Sequence, residues 1–494
     1  MYQVKLKPPF VDRFITGNCG FSTISGWALI YVDQTFLKQG RLTFCSMDRY
    51  GNNCDENDIR VLMLGWEFPP FISGGLGTAC YGLTKAMDQM NVKVTFVLPR
   101  AVDSSFTTHV KLLSPGCAKS AGACGYGKLK NVKFHTIDSA LLPYSTPDFY
   151  RQRVEEFLKF KRSIKGSATI PALFGAAGDY SGDMYSEIHR YAAMAADLVE
   201  NEQFDIIHAH DWMTFPAGIT IAAMTRKPLV VHIHSTEFDR SGEHVNQMIY
   251  DIEHHGMHAA DKIIAVSHYT RNIIVNRYGV SADKVEVVHN GVERNGGNSW
   301  PLADTGIQKD EKIVLFLGRI TMQKGPEYFL AAAKKVLEVM DNVKFVMAGS
   351  GDLMRKSIEM AAELGIGHKV LFTGFLRGQE LQKIYEMADL YVMPSVSEPF
   401  GIVPLEALNN DVPVIISKQS GVSEVLTHAL KVDFWDVNEI ANKIIAVLKY
   451  PALQDTLANY GNFEVRKLRW TNSAKRCLEI YRQVLSPVCK QAPC

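Results

Sequence analysis

Two glutamates stand eight positions apart in the segment SEPFGIVPLEA, on either side of a glycine turn that is predicted to open a helix. Glu398 precedes the turn, and Glu406 lies about two helical turns further on, so the two carboxylates are expected to face nearly the same way. A carboxylate can accept two hydroxyl hydrogen bonds, as a sugar or a ribose offers. The alternative is a structural pair, in which one acid stabilises the helix dipole and the other faces solvent.

The backbone between these glutamates is predicted to supply hydrogen-bond donors. We expect the helix to begin near Phe400, so that the N–H groups of Gly401, Ile402 and Val403 have no partner within it. Such groups attract anions and hydroxyl-rich ligands, and a glycine lets a ligand approach the backbone closely. The segment therefore predicts a binding site at the end of the preceding strand.

Two cations follow a buried apolar run in the segment GRITMQKGPE. Arg319 comes directly after the run IVLFLG, and Lys324 precedes a glycine and a predicted helix. Two cations at a strand-to-helix junction suit a diphosphate, and they would stabilise the negative charge that grows on a leaving group. A pair of surface cations is the alternative, and the apolar run beside Arg319 argues against it.

Histidines gather at the predicted ends of two strands, in HAHDW (His208 and His210) and in HIHSTEF (His232 and His234). Because side chains alternate along a strand, we expect one histidine of each pair to be a core residue and the other to face a cleft. No carboxylate or third ligand falls at a recognisable spacing, so no metal site is predicted.

A glycine-rich loop, SGGLG from Ser73 to Gly77, opens the first predicted helix. It is not the dinucleotide-binding pattern G-x-G-x-x-G, and taken alone it is a weak signal. Tight packing of a helix against a strand explains these glycines equally well. In a two-domain cleft, the loop would face phosphates from the side opposite to Arg319 and Lys324.

The composition is that of a soluble globular protein, with 47% hydrophobic and 21% charged residues among 494. Lys and Arg total 53 and Asp and Glu total 52, which argues against a nucleic-acid binder. No apolar run is long enough to cross a bilayer, so no stable membrane insertion is predicted. Nine scattered cysteines without a C-x-x-C pair indicate free thiols and hence a cytoplasmic protein.

The elements that must position these residues predict two α/β domains. IRVLMLGWEF, the glycine-rich loop and VKVTFVLP read as strand, loop, helix and strand, the first unit of a doubly wound sheet. A second series starts at KIVLFLGRI, after a segment rich in Gly, Asn and Pro that predicts a linker. The predicted parts are an N-terminal extension of unknown role (1–58), a first domain (59–290), the linker (291–308), a second domain (309–470) and a C-terminal helix and tail (471–494).

These motifs, in this order, resemble the retaining glycosyltransferases of the GT-B fold, in particular glycosyltransferase family four and the glycogen and starch synthases. The resemblance rests on EPFGIVPLE, GRITMQKG, SGGLG, HAHDW and VHNGVE, and it covers about residues 59–485. It implies an α/β protein with two doubly wound, Rossmann-like domains that face a central cleft. It also implies a nucleotide sugar as co-substrate, with no cofactor and no metal.

The resemblance further implies roles for single residues. Arg319 and Lys324 would hold the donor diphosphate in place of a metal, Glu406 would bind the ribose, and Glu398 would contact the hydroxyls of the transferred sugar. His210 would lie beside the sugar near the reacting carbon. Further donor contacts would come from the glycine-rich loop and from the turn after Glu398: Gly74, Gly75, Phe400, Gly401, Ile402 and Val403.

Two departures from the resemblance bear on the donor. Bacterial glycogen synthases that use ADP-glucose carry a lysine two residues before the Gly-Gly, where this chain has Ile72, and they often lack the second acid, here Glu406. Both differences favour UDP-glucose, or a loose nucleotide choice, over ADP-glucose.

The predicted activity is transfer of a glucosyl unit from UDP-glucose or ADP-glucose to the non-reducing end of an α-glucan. Another carbohydrate acceptor stays open, either of the sucrose or trehalose type or a lipid or cell-surface glycan. A catalytically silent protein that binds glucan or nucleotide is a further alternative, and the oligomeric state is left open.

Overall fold

The computed structural model describes residues 59–68, 74–98, 112–113, 131–136, 184–293 and 311–486. The predicted N-terminal extension, Ile72, Ser73 of the glycine-rich loop and most of the predicted linker lie outside these residues. The domain boundaries therefore stay a prediction, whereas the two sheets can be described strand by strand.

The first sheet has eight strands in the order β3-β4-β2-β1-β5-β6-β7-β8. Every neighbouring pair is parallel. Strands β5 and β6 are buried along their whole length, as expected for strands that are covered on both faces. The strands are β1 (Arg60–Leu64), β2 (Lys93–Leu98), β3 (Leu112–Leu113), β4 (Val132–Thr136), β5 (Ile206–His210), β6 (Leu229–Ile233), β7 (Lys262–Ala265) and β8 (Val285–Val287).

The second sheet has six strands in the order β11-β10-β9-β12-β13-β14, and these pairs are also parallel. The strands are β9 (Lys312–Leu317), β10 (Val343–Ala348), β11 (Val370–Gly374), β12 (Leu390–Met393), β13 (Val414–Ser417) and β14 (Leu430–Val432). The predicted pair of doubly wound sheets is confirmed.

The strand order reverses between β1 and β5 in the first sheet and between β9 and β12 in the second. In sheets of this kind, ligands bind at the carboxyl ends of the strands where the order reverses. The glycine-rich loop follows β1, His210 ends β5, Arg319 follows β9 and Glu398 follows β12. All four candidate segments therefore lie at the two switch points.

Helices connect the strands and carry local signals at their ends. Ser267 and Asn246 accept backbone N–H groups at the starts of two helices, and proline stands in the first turn of several others. The helices that precede β9 in the chain are α1 (Gly75–Gln89), α2 (Met184–Val199), α3 (Phe215–Thr225), α4 (Glu237–Ser241), α5 (Gln247–Ala259) and α6 (His268–Tyr278). Those that follow are α7 (Pro326–Leu337), α8 (Met354–Glu363), α9 (Gln379–Met387), α10 (Val403–Asn409), α11 (Val437–Lys449), α12 (Pro451–Val465) and α13 (Trp470–Leu485).

The last helix, α13, returns to the first sheet. The indole of Trp470 packs on Gly82 of α1, where a Cβ atom would lie only 2.2 Å from the ring. Further along α13, the hydroxyl of Tyr481 hydrogen-bonds His208 of β5. We therefore define the first lobe as the described residues of 59–293 together with α13, and the second lobe as residues 311–465.

Two further observations concern the whole described chain. Cys80 and Cys477 are buried free thiols. None of the described helices combines the length and the apolar character that a membrane crossing needs.

Candidate active site

Lys324 and Glu398 are 74 positions apart in the sequence and meet at the carboxyl ends of β9 and β12. The Lys324 ammonium lies 2.5 Å from the Glu398 carboxylate, and the side chains are only 20% and 10% exposed. Ser395 donates a further hydrogen bond to the same carboxylate oxygen at 3.3 Å. Because β9 and β12 are neighbours in the sheet, the turns that follow them lie side by side. The predicted cation and the predicted acid thus belong to one site.

Gly325 fixes the turn that carries Lys324. Its φ is +64°, and a Cβ atom at this position would lie 2.3 Å from the Pro394 carbonyl oxygen. The adjoining backbone is held as well, because the N–H of Val396 donates to the carbonyl of Gln323 at 2.9 Å. Only glycine combines this left-handed conformation with so close an approach. The glycine therefore docks the Lys324 turn onto the segment that leads to Glu398.

Arg319 lies on the same turn as Lys324, between β9 and α7. Its guanidinium donates to the side-chain oxygen of Gln323 at 3.2 Å, and Gln323 is buried. The two predicted cations thus share one strand-to-helix junction. Such an arrangement can hold two oxyanions of a diphosphate.

Glu406, the second predicted acid, lies in the first turn of α10. The hydroxyl of Tyr385 donates to the Glu406 carboxylate at 2.8 Å. Burial raises the pKa of Glu406, and the Tyr385 hydrogen bond opposes that rise. Burial also raises the pKa of Tyr391, with further contributions from the charges of Glu398 and Glu406. Both carboxylates therefore lie close enough to act on one buried tyrosine.

The helix between the two glutamates begins later than the sequence predicts. Helix α10 starts at Val403, three residues after Phe400, and Pro404 leaves its first turn short of one N–H group. Glu398 instead pairs with Ser420 in a parallel bridge, and Pro399 and Phe400 form a bend before the helix. The prediction of a helix that begins near Phe400 is wrong.

The N–H groups of Gly401 and Ile402 thus belong to the turn that precedes α10, and the N–H of Val403 belongs to its first residue. Gly401 has a φ of +100°, and a Cβ atom there would lie 3.2 Å from Cγ of Glu398. The glycine lets the Glu398 side chain pass directly over the turn. The predicted role of these N–H groups and of Phe400 in donor binding stays a prediction.

The glycine-rich loop leads into α1 as predicted, with Gly74 extended and Gly75 as the first helical residue. A Cβ atom on Gly75 would meet nothing within 4 Å, so space is open beside it. The Glu67 carboxylate, which is 1% exposed, accepts the N–H of Gly77 at 3.0 Å. Glu67, which no motif marks in the sequence, thus brings a buried carboxyl group to the first turn of α1. Contact of Gly74 and Gly75 with phosphates stays a prediction.

The four histidines of β5 and β6 form one stack. The rings of His208 and His210 lie 4.3 Å apart, and those of His232 and His234 lie 4.2 Å apart. Residues two positions apart on a strand share a face, so both members of each pair point the same way. The expectation that one histidine of each pair turns away from the other is wrong.

Hydrogen bonds tie this histidine stack together. His208 bonds Tyr481 through Nδ1, and its Nε2 lies 3.2 Å from Nδ1 of His232. Nδ1 of His210 lies 2.9 Å from Nε2 of His234. Within the described part of the chain, Nε2 of His210 and of His232 are buried without a partner. His210 therefore keeps one ring nitrogen for a further contact.

Burial keeps the histidine stack neutral. Burial is the largest cause that lowers the pKa of His208, and it lowers the pKa of His234 as well, in each case to about 3. It also holds the pKa values of His210 and His232 well below their usual range, and the neighbouring histidines add to the effect. The stack can exchange hydrogen bonds at neutral pH, but it cannot supply an imidazolium.

His208, His210 and His232 form a group, among the described residues, whose ligand atoms come close enough to share a metal ion, within 4.8 Å of one another. A ring nitrogen binds a metal through its lone pair, which lies in the ring plane. Both nitrogens of His208 already have hydrogen-bond partners, and its ring is stacked on that of His210. This geometry favours a hydrogen-bonded stack over a set of ligands that converge on one ion.

Asp211, which follows His210 directly, is a residue that the sequence did not reveal. Its φ is +57°, an uncommon conformation for a residue other than glycine and one that often marks functional sites. Its carboxylate accepts the N–H groups of His234 at 2.7 Å and Ser235 at 3.4 Å. Burial raises the pKa of Asp211 to about 7. Asp211 thus joins the ends of β5 and β6.

Two doubly wound lobes whose strand ends carry cations, carboxylates and glycine turns are the architecture of the GT-B fold. Residues 302–462 match the family of glycosyl transferases group 1, and residues 177–295 match glycosyltransferase family 4. The chain belongs to the family-four glycosyltransferases.

Relatives in sequence extend over most of the chain. An uncharacterised glycosyltransferase of Methanocaldococcus jannaschii is 29% identical over 86% of this chain and 98% of its own length. A glycogen synthase of Mycobacterium tuberculosis is 24% identical over 86% of this chain and 94% of its own. An alpha-maltose-1-phosphate synthase of Mycolicibacterium smegmatis is 30% identical over 59% of this chain and 83% of its own.

Solved structures share the fold. Sucrose-phosphate synthase from Thermosynechococcus elongatus superposes with a TM-score of 0.64 at 20% identity, over 87% of this chain and 100% of that one. HepE of Anabaena in complex with UDP-glucose superposes with a TM-score of 0.58 at 16% identity, over 86% of this chain and 100% of that one. At these identities the likeness concerns the fold alone.

Proposed function

We propose that this glycosyltransferase moves a glucosyl unit from UDP-glucose or ADP-glucose to the non-reducing end of an α-glucan, with retention of anomeric configuration. The observation that carries the proposal is the convergence of Lys324, Glu398 and Glu406 at one switch point. A cation and two carboxylates in this order suit the diphosphate, the sugar and the ribose of a nucleotide sugar.

The donor would lie mainly on the second lobe. Arg319 and Lys324 would hold the diphosphate, and Glu406 would accept the ribose hydroxyls. Lys324 now contacts Glu398, so a bound donor would place phosphate oxygens and sugar hydroxyls on the two partners of this pair. The two cations would neutralise the leaving group, so that no metal or other cofactor is required.

The sugar would be held from both lobes. Glu398 would accept its hydroxyl groups, the N–H groups of residues 400–403 would donate to it, and neutral His210 would contact it through Nε2. Gly74 and Gly75 would approach the phosphates from the first lobe. These contacts would fix the anomeric carbon for attack.

In the transfer step, the acceptor hydroxyl would attack the anomeric carbon from the face that the diphosphate leaves. The bond between the anomeric carbon and the phosphate oxygen breaks, and a glycosidic bond forms. The leaving phosphate oxygen takes the proton of the acceptor hydroxyl. Lys324 and Arg319 would stabilise the charge that develops on the diphosphate during this step.

The names of two relatives support an α-glucan acceptor, namely a glycogen synthase and an alpha-maltose-1-phosphate synthase. The second candidate is a small phosphorylated acceptor, which is favoured by relatives named D-inositol 3-phosphate glycosyltransferase; one of these is 28% identical over 57% of this chain. We place the reaction in the cytoplasm, where the buried thiols of Cys80 and Cys477 would stay reduced.

The test is release of nucleoside diphosphate by the purified full chain from UDP-glucose or ADP-glucose, with and without glycogen. We expect release that depends on glycogen and is faster with UDP-glucose. Release that does not depend on glycogen would move the acceptor to small sugars or lipids, and the anomeric proton coupling of the product would test retention. Without release from either donor, the proposal would fail.

A further inference from the structure

Ser397, the residue before Glu398, is held by the first lobe. Its hydroxyl donates to the Asp239 carboxylate at 2.5 Å, and the Tyr269 hydroxyl lies 3.0 Å from its oxygen. Asp239 is 1% exposed, and its other oxygen accepts the N–H and the hydroxyl of Thr236 at 2.7 and 2.8 Å. Because Thr236 holds Asp239 in place, the hydrogen bond to Asp239 leaves the Ser397 side chain little freedom to move.

Pro399, the residue after Glu398, is also held by the first lobe. Its carbonyl oxygen accepts the hydroxyls of Ser267 at 2.5 Å and Thr270 at 3.2 Å. Both hydroxyl residues are fully buried, and Ser267 is also the N-cap of α6. Gly421 lies beside the same carbonyl oxygen, and a Cβ atom on this glycine would be only 2.3 Å from it. The contact is therefore packed closely on both sides.

A charged contact supports the same junction. The Glu424 carboxylate of the second lobe accepts the N–H groups of His268 at 2.9 Å and Tyr269 at 2.5 Å, in the first turn of α6. A carboxylate at a helix N-terminus is favourable because the free N–H groups and the helix dipole carry positive charge there. Side chains of both lobes thus bind the start of α6 to the second lobe: Ser267 and Thr270 from the first lobe and Glu424 from the second.

We propose that these contacts form an interlobe clasp that positions Glu398 when the lobes meet. The clasp consists of Asp239, Ser267, Tyr269 and Thr270 of the first lobe with Ser397 and Pro399 of the second. Separation of the lobes would remove four hydrogen bonds from the two residues that flank Glu398. The inference rests on the proposed function, in which Glu398 contacts the transferred sugar.

The clasp also reaches the histidine stack. Asp211 accepts the N–H groups of His234 and Ser235, and the next residue, Thr236, caps α4 and holds Asp239. A short segment of the first lobe therefore joins the end of the stack to Ser397. Closure of the lobes would fix the position of His210 relative to Glu398. The residues of the clasp act through these two side chains, so they are positioning residues and not catalytic ones.

The first test is Ser397→Ala. We expect kcat to fall about 10-fold, because Glu398 loses a fixed neighbour and small displacements of this kind are costly to the rate. The dissociation constant of UDP should change less than about twofold, since the Ser397 hydroxyl faces the first lobe. Ser397→Thr, which keeps the hydroxyl, should recover most of the rate. The control is Ser357→Ala, a buried serine on α8 within the second lobe, which should keep wild-type kcat.

The second test places Ser397→Ala in an Asp239→Ala background. The additional loss of kcat should vanish there, because the partner of Ser397 is already gone. If Asp239→Ala does not fold, Thr270→Val serves as the alternative, and it should lower kcat without changing UDP affinity. A wild-type kcat in Ser397→Ala, or an equal loss in both backgrounds, would overturn the clasp.

Small-angle scattering separates this inference from the proposed function. With UDP present, Ser397→Ala should have a larger radius of gyration than the wild type, because a clasp contact is lost. This measurement needs no acceptor and no turnover. An unchanged radius would overturn the clasp even in an active enzyme. If the wild type turned over no nucleotide sugar, the proposed function would fail while a larger radius in the variant would still support the clasp.

Discussion

The ammonium of Lys324 lies 2.5 Å from the carboxylate of Glu398, so the residues proposed to hold the diphosphate and the sugar are direct neighbours. Lys324→Ala would remove one preorganised charge from the place where the leaving group develops its own. We expect kcat to fall about 100-fold while the fold persists. The measurement is steady-state release of nucleoside diphosphate, with circular dichroism as the check on folding.

Lys418→Ala is the matched control for that variant. Lys418 belongs to the same lobe and pairs with Asp433 at 2.8 Å, but nearly half of its side chain is exposed. Exposed pairs contribute little, so its activity should equal that of the wild type. Glu398→Gln should lose about as much rate as Lys324→Ala. Full activity of Lys324→Ala or of Glu398→Gln would show that the substituted residue is not part of the active site.

The neutral histidine stack gives a prediction for acid pH. Burial lowers the pKa of His208 and of His234 to about 3, whereas a histidine in an unfolded chain titrates at pH ~6.5. The stack should therefore stay neutral at pH 5. Histidine-selective NMR can follow the ring carbons between pH 8 and pH 5. An imidazolium signal from any of the four rings at pH 5 would contradict the structure.

The lowered pKa values of the histidines determine the direction in which the stability of the fold changes with pH. Below pH ~6.5 the unfolded chain takes up protons on these histidines and the folded chain does not, so their contribution to stability is lost as the pH falls below this value. Replacing His234 by Gln removes one such proton. The free energy of unfolding should then fall less steeply between pH 6.5 and pH 4, by up to about 1.4 kcal/mol per pH unit. An unchanged slope would mean that His234 titrates normally in the fold.

The site could be predicted from the sequence wherever one strand and its following turn carried the signal. Arg319 and Lys324 follow a buried apolar run, and Glu398 and Glu406 bracket a glycine turn, so their placement depends only on local order and on the parallel sheet. The later start of α10 follows from the pairing of Glu398 with Ser420, which keeps this residue out of the helix. A local sequence pattern gives no information about a pairing partner that lies far away in the chain.

Contacts between distant segments leave no signal in the local sequence. Asp239 and Ser397 are 158 positions apart, and neither stands in a pattern that suggests a partner. Tyr385 reaches Glu406 from a different helix, and Tyr481 reaches His208 from the end of the chain. The shared face of the paired histidines, by contrast, follows from the sequence alone, because residues two apart on a strand point the same way.

Tyr385→Phe tests the support of Glu406. The Tyr385 hydroxyl stabilises the ionised form of Glu406, while burial raises its pKa. Without the hydroxyl, the pKa of Glu406 should rise further, and a protonated acid accepts ribose hydroxyls less well. We expect the donor KM to rise about 3- to 10-fold, the range that one lost hydrogen bond produces, with kcat nearly unchanged.

The pH dependence of this effect has a definite sign. Because the variant has the higher pKa at Glu406, its KM should exceed that of the wild type by a larger factor at pH 6 than at pH 8. Tyr328→Phe, a partly buried tyrosine of the same lobe, is the control and should keep the wild-type KM at both pH values. A KM ratio that does not depend on pH would show that the hydroxyl does not tune Glu406.

Gly325→Ala tests the docking of the Lys324 turn. The residue has a φ of +64°, and its Cβ atom would lie 2.3 Å from the Pro394 carbonyl oxygen, so backbone must move in addition to the strain of a left-handed alanine. The matched control is Gly365→Ala after α8, where φ is +71° and nothing lies within 4 Å. The control carries the conformational strain alone, about 1 kcal/mol.

The two variants should therefore separate strain from displacement. Urea unfolding should show a loss about 1–3 kcal/mol larger for Gly325→Ala than for Gly365→Ala, the usual range for an atom forced into a packed site. The displaced turn carries Lys324 away from Glu398, so kcat should fall about 10-fold in Gly325→Ala and stay at the wild-type value in Gly365→Ala. Equal stability and equal kcat in the two variants would mean that the Lys324 turn finds its place without the glycine.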